Sequence, residues 1–204
     1  MRFRGISQEK ILPPSARLLS NVISPPLVTA VFGFIVAWRE LPFWPGAARA
    51  ALYGTLVSLA PVALVIFLLK TGRIHDIHMS LSPQQRRLPY FISVICALIA
   101  FAFLYNRGDS PLLTALAACN VIGLAALAAI NHYWLISNHA ASIMMVGTFS
   151  AFLFGLASSL WSLPLIGLVT WARWQLQKHT LSQLLAGMAV GAAPVLLLAG
   201  LGWI

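Results

Sequence analysis

Apolar residues fall in blocks along this chain, separated by short polar stretches. Apolar segments run over about 23–38, 48–69, 90–105, 111–130, 140–158, 163–174 and 180–203. A helix needs ~20 apolar residues to cross a bilayer untilted, so the pattern predicts an all-α, polytopic transmembrane bundle of six to seven spans. Several segments are shorter than that, and the sixth is the weakest. Pro164 sits in its first turn after Ser162, as helix starts favour, and the helix can extend through polar residues to about Lys178. Gly187 and Gly191 form a GxxxG in the last segment, which reads as close helix packing. Residues 1–22 read as a basic tail broken at Pro13 and Pro14, and residues 23–204 as one transmembrane domain.

Composition agrees with that class. The chain is 60% hydrophobic and 8% charged, with mean hydropathy +0.87, which describes an integral membrane protein rather than a soluble one. At 204 residues it is too short for a second domain. Cys96 and Cys119 lie inside apolar runs and read as small packing residues, not as a disulfide or metal pair. A net charge of +9 raises the question of nucleic acid, but the cations sit at segment ends with no basic run or aromatic-basic platform. Anionic headgroups at a membrane surface are the better partner. The first apolar run begins late and no small-x-small site follows it, so signal cleavage is not expected.

Parity fixes the sidedness. The polar connections 70–89, 131–139 and 173–179 follow the second, fourth and sixth segments, so all three should share one face. With the tail they carry Arg2, Arg4, Lys10, Arg17, Lys70, Arg73, Arg86, Arg87, Arg173 and Lys178, ten cations against three (Arg39, Arg49, Arg107) on the other face. That asymmetry makes the polar face cytoplasmic, in a bacterial-type plasma membrane. Trp38, Trp134, Trp161, Trp171 and Trp203 lie near segment ends and read as interfacial anchors.

Three stretches on that face carry candidate chemistry. The first runs from Trp171 to Gly187 and sets Arg173, His179 and Gln183 into apolar chain, where such groups are costly and functional by default. A helix starting near Thr180 puts Gln183 one turn from His179, within reach of an imidazole NH. The same residues also fit a capping box, Thr180xxGln183, in which the Gln serves only the backbone. The second is Ser137, Asn138 and His139 before an apolar helix, readable as an anion site at a helix N-terminus or as plain capping. The third is GRIHDIHMSLSPQQRRLPY, where Arg86 and Arg87 are either anchors or anion contacts. His75, Asp76 and His78 lack an adequate fourth ligand nearby, so no metal and no cofactor are expected.

Taken together, Arg86, the SNHA of residues 137–140 and the RxxxxxHxxxQ of residues 173–183 resemble the three motifs of the type 2 phosphatidic acid phosphatase family, membrane lipid phosphatases related to vanadium haloperoxidases. The similarity covers about residues 70–190. The family's motifs are KxxxxxxRP, PSGH and SRxxxxxHxxxD. Met79 stands where the Lys is usual and Arg87 where the Pro is. Ile136 and Asn138 replace Pro and Gly in the second motif, and Ala172 and Gln183 replace Ser and Asp in the third. The chain is most similar to a divergent branch reading KISxHA and RxxLxxHTxxQxxAG.

The resemblance implies hydrolysis of a lipid phosphomonoester without metal, through a phosphohistidine. On that pattern His179 is the nucleophile, His139 the general acid and base, and Gln183 the candidate orienter of His179. Arg86, Arg173, Ser137 and Asn138 would hold the phosphate, with Arg87 a candidate additional contact. Gln183 adds no negative charge, so a slower enzyme than one with Asp is expected. The substrate would be phosphatidylglycerophosphate, phosphatidic acid or a polyprenyl-linked phosphate. The departures leave a second reading, a catalytically impaired relative that binds anionic lipid or a protein partner. A transporter is disfavoured because paired intramembrane acids and repeated halves are missing.

Overall fold

A computed structural model describes residues 14–74 and 83–204. The described residues form helices and connections, with no strand among them. In order they are α1 (Pro14–Val22), α2 (Pro25–Glu40), α3 (Phe43–Gly54), α4 (Ala60–Lys70), α5 (Pro83–Arg107), α6 (Pro111–Ile130), α7 (Asn138–Phe154), the single turn α8 (Leu156–Ser159), α9 (Ser162–Gln175) and α10 (Leu181–Gly200). A π-helical turn, Thr55–Leu59, joins α3 to α4 without a break. Prolines open α2 and α6, where the missing NH costs no helical bond.

Four helices are long and apolar enough to cross a membrane: Phe43–Lys70, Gln85–Arg107, Pro111–Ile130 and Leu181–Gly200. Large apolar side chains on them, such as Phe67, Phe91, Ile99 and Leu196, face outward and exposed, as lipid contact requires and water disfavours. These features mark a membrane protein. The segments expected at 23–38, 140–158 and 163–174 are helices of 16, 17 and 14 residues.

The sixth segment departs from expectation in a specific way. A methyl group added at Gly147, midway along α7, would lie 2.9 Å from Ser162 Oγ. The helix α9 therefore starts beside the middle of α7, after the chain has turned back through α8. Its 14 residues rise about 21 Å, yet it ends at the same end of the bundle where α7 begins. It stops at Gln175 rather than continuing to Lys178.

The two ends of the bundle are chemically distinct. At one, Glu40 accepts from Ser110 Oγ, from Leu112 N at 2.6 Å and from Leu113 N at 3.1 Å, closing the free NH groups of α6. Arg49 pairs with Asp109 at 2.6 Å and Arg39 lies over the Phe154 ring. The start of α5, the connection between α6 and α7, and the connection between α9 and α10 meet at the other end, as the parity argument requires.

Inside, α6 is the central helix, with Leu113, Ala115, Leu116, Ala117 and Cys119 all buried. Polar side chains there satisfy each other: Asn120 Nδ2 donates to Tyr53 Oη at 2.7 Å, and Thr29 and Ser58 hydroxyls meet at 3.1 Å. The closest backbone approach involves α10 and α7. A methyl on Gly187 would stand 2.5 Å from the Ser137 carbonyl oxygen, and one on Gly191 would collide with the Ala141 carbonyl.

Residues 14–22 do not belong to a plain polar tail. They form α1, whose Ala16 and Leu19 pack on Ala172 and Leu176 of α9. Arg2, Arg4, Lys10 and Pro13 of the expected tail lie outside the described residues.

Gly191→Ala should lower stability by roughly 1–3 kcal/mol through overpacking against backbone, read as a lower thermal midpoint of detergent-solubilised protein. Gly200→Ala, where an added methyl meets no atom within 4 Å, should change it little. Equal midpoints for wild type and Gly191→Ala would contradict the close packing.

Candidate functional site

The chain between α9 and α10 is shaped by its backbone. Gln177 N donates to Trp174 O at 2.9 Å and Lys178 N to Arg173 O at 3.2 Å, a Schellman turn with Gln177 in the left-handed region at φ 52°. Thr180 then caps α10. His179 is held between the two helix ends, and a groove of about 370 Å³ lined by Trp174, Gln177, Lys178, Thr180, Leu181 and Gln183 opens beside it.

The imidazole of His179 has two unlike neighbours. Its Nδ1 lies 3.3 Å from the Leu135 carbonyl oxygen, and its Nε2 lies 3.3 Å from Arg173 Nη2. A carbonyl can only accept and a guanidinium can only donate. The geometry therefore assigns the proton to Nδ1 and leaves the Nε2 lone pair facing Arg173. Burial, then the Arg173 charge and more weakly Lys178, push the His179 pKa down to about 4, with the Leu135 contact opposing. The ring is neutral at ordinary pH.

Arg173 and His139 meet through a residue that sequence reasoning missed. Arg173 Nη1 donates to Ser20 Oγ at 3.1 Å, and His139 Nε2 lies 3.2 Å from the Ser20 carbonyl oxygen. The carbonyl again requires a donor, so His139 carries a proton on Nε2. Arg173 Nε is enclosed and has no hydrogen-bond partner among the described residues. A guanidinium with an unused donor beside two imidazoles is suited to an oxyanion.

Other expected site residues are placed differently. Gln183 does not orient His179: its Oε1 accepts from Thr180 N at 2.9 Å and its N donates to Thr180 Oγ1 at 3.4 Å, the capping-box alternative. The Leu135 carbonyl takes the orienting position instead. Ser137 is fully buried, its hydroxyl accepts from Ala140 N at 3.3 Å, and its N donates to Gln183 O at 3.2 Å. It is a buried helix cap. Asn138 lines a separate, partly open pocket of about 100 Å³, together with Pro25, Thr29, Asn120 and Ser142.

The two arginines of the third stretch also stand apart. Arg86 Nη1 donates to the Asn131 carbonyl at 3.2 Å, and Arg87 Nη2 lies 3.3 Å from a ring nitrogen of His132. They line a groove of about 480 Å³ with Tyr90, Phe91, Val94, Ala125, Ala128, Asn131 and His132, which includes neither His139, Arg173 nor His179. The site thus brings Arg173, His139 and His179 together, and leaves Arg86 and Arg87 on a neighbouring groove. Among the described residues no group of His, Cys, Asp or Glu has metal-binding geometry; His75, Asp76, His78 and Met79 lie outside them.

Ser20 carried no sequence signal beyond a short apolar spacing around it. The Leu135 carbonyl carried none, because any residue supplies that group. Comparison with protein-family models, curated proteins and solved structures gave no match.

The His179 ring should titrate near 4 by NMR of labelled histidine, against an ordinary 6.5. Arg173→Gln should move that midpoint upward. Because the folded pKa is depressed, the unfolded chain binds this proton first, so stability from His179 is full above about 6.5 and is lost as pH falls toward about 4. A wild-type midpoint near 6.5, or one unmoved by Arg173→Gln, would contradict the proton assignment.

Proposed function

We propose that this chain is an integral membrane lipid phosphatase, built on six to seven spans around a core like that of the type 2 phosphatidic acid phosphatases, with its site on the cytoplasmic face. The observation that carries the reading is the His179 geometry, a neutral imidazole with its Nδ1–H on Leu135 and its Nε2 lone pair directed at Arg173. A nucleophile needs that lone pair, and a phosphoryl group needs the cation beside it.

In the proposed reaction Arg173 turns from the Nε2 lone pair to the phosphoryl oxygens, His179 Nε2 attacks phosphorus, the lipid P–O bond breaks, and the leaving oxygen takes a proton from the imidazolium form of His139, which is left neutral. Water then attacks the phosphohistidine, His139 accepts the water proton, and the N–P bond breaks to release phosphate. Arg173 neutralises the phosphoryl oxygens, using the Nε donor as well as its terminal nitrogens. The backbone carbonyl does the orienting that Asp does in the family. It fixes the tautomer without adding negative charge, which supports the expectation of a slow enzyme.

A second reading, a catalytically impaired protein that binds anionic lipid, is favoured by Ser20. It stands between His139 and Arg173, so α1 must shift before a phosphate can bridge them.

Phosphate release from a panel of lipid phosphates in EDTA separates the two. On the phosphatase reading wild type releases phosphate, and His179→Ala and His139→Ala each lose it, by at least about 100-fold, while remaining monodisperse. Binding without release, sensitive to Arg173→Gln, would favour the second reading. Sidedness is checked by labelling cysteines placed at Arg73 and Arg107 in cells. Position 107 alone should react with an impermeant reagent from outside; reaction of position 73 alone would overturn the cytoplasmic site.

A further inference from the structure

The largest groove described above lies outside the His179 site, where the start of α5 meets the end of α6. Its polar part is built rather than accidental. Asn131 is buried at 2% exposure; its Nδ2 donates to Tyr90 Oη at 2.8 Å, its Oδ1 accepts from Ile136 N at 2.6 Å, and its carbonyl accepts from Arg86. That network fixes the connection leading out of α6 and holds His132 beside the exposed Arg87.

The other half of the groove is apolar. Phe91 and Val94 of α5 and Ala125 and Ala128 of α6 line it, and Phe91 is 61% exposed. Both helices are long and apolar enough to cross a membrane, so this half opens sideways, onto the face that hydrocarbon would cover. The polar half lies at the helix ends, at headgroup depth. A basic rim above an apolar slot matches a phosphate joined to acyl chains.

Charge points the same way. Glu40 and Asp109, the two carboxylates among the described residues, both sit at the opposite end of the bundle. Glu40 is committed to the start of α6 and Asp109 to Arg49. Neither of these two faces the rim, to which an anionic headgroup is complementary in charge.

We propose that this groove binds an intact anionic phospholipid, its phosphodiester on Arg87 and His132 and its chains along Phe91, Val94, Ala125 and Ala128. The site is separate from the hydrolytic one and does not depend on the phosphatase reading. A phosphodiester lipid held here anchors and orients the bundle without being turned over.

Native mass spectrometry of the detergent-purified full chain tests this, with phosphatidylglycerol and phosphatidylcholine as probes. Wild type should retain phosphatidylglycerol in preference. Arg87→Gln combined with His132→Gln should reduce that retention by at least about five-fold, and Ala125→Trp, at an exposed position filling the apolar half, should reduce it independently of charge. His179→Ala should leave it unchanged, which separates failure of this proposal from failure of the phosphatase reading. Equal retention of both lipids, or a preference that survives both the double variant and Ala125→Trp, would overturn the proposal. Full displacement of the lipid by millimolar glycerol phosphate would also overturn it, by marking a site for soluble anions.

Discussion

Two glycines on α10 set the distance at which that helix meets α7, and the polar end of the molecule depends on that distance. With Gly187 against the Ser137 carbonyl and Gly191 against Ala141, the backbone before α7 reaches the start of α10. Ser137 N then bonds Gln183 O, and the Leu135 carbonyl comes to His179 Nδ1. A methyl group in the seam would separate these strands of chain. The tautomer of the proposed nucleophile is thus a consequence of helix packing.

On the proposed phosphatase reading, the same packing supplies part of what a carboxylate beside the imidazole would. A carboxylate fixes a neighbouring imidazole and also stabilises its cation. A carbonyl supplies the first effect and only part of the second. Burial and the Arg173 charge both act against protonation of His179, so the site favours an imidazole that stays neutral. Gln183 stabilises the helix start instead, through the capping box with Thr180.

Much of this was legible in the sequence. Helix starts at Pro111, Asn138 and Leu181 followed from proline, cap and apolar pattern, and parity put the polar connections at one end. Rotation of helices about their axes was not legible. Spacing placed Arg86 at the correct end of α5, but whether it turned toward His179 or toward Asn131 depends on how α5 packs on α6. Gln183 fits an orienter and a capping box at the same spacing, and only the side-chain conformation separates them. The helix α1 was hidden because nine residues with a few small apolar positions look like a tail until α9 offers Ala172 and Leu176 to pack against. The starting point of α9 beside the middle of α7 was hidden too, since apolarity does not reveal where along a neighbour a helix begins.

The central claim is that His179 Nε2 is the group that forms a bond to phosphorus. Its most direct measurement is mass spectrometry of protein quenched in alkali during turnover of a lipid phosphate, conditions under which a phosphohistidine survives. The account predicts an acid-labile phosphate on the peptide carrying His179, absent from His179→Ala. Turnover with no phosphate on that peptide, or with the adduct on His139 instead, would contradict it.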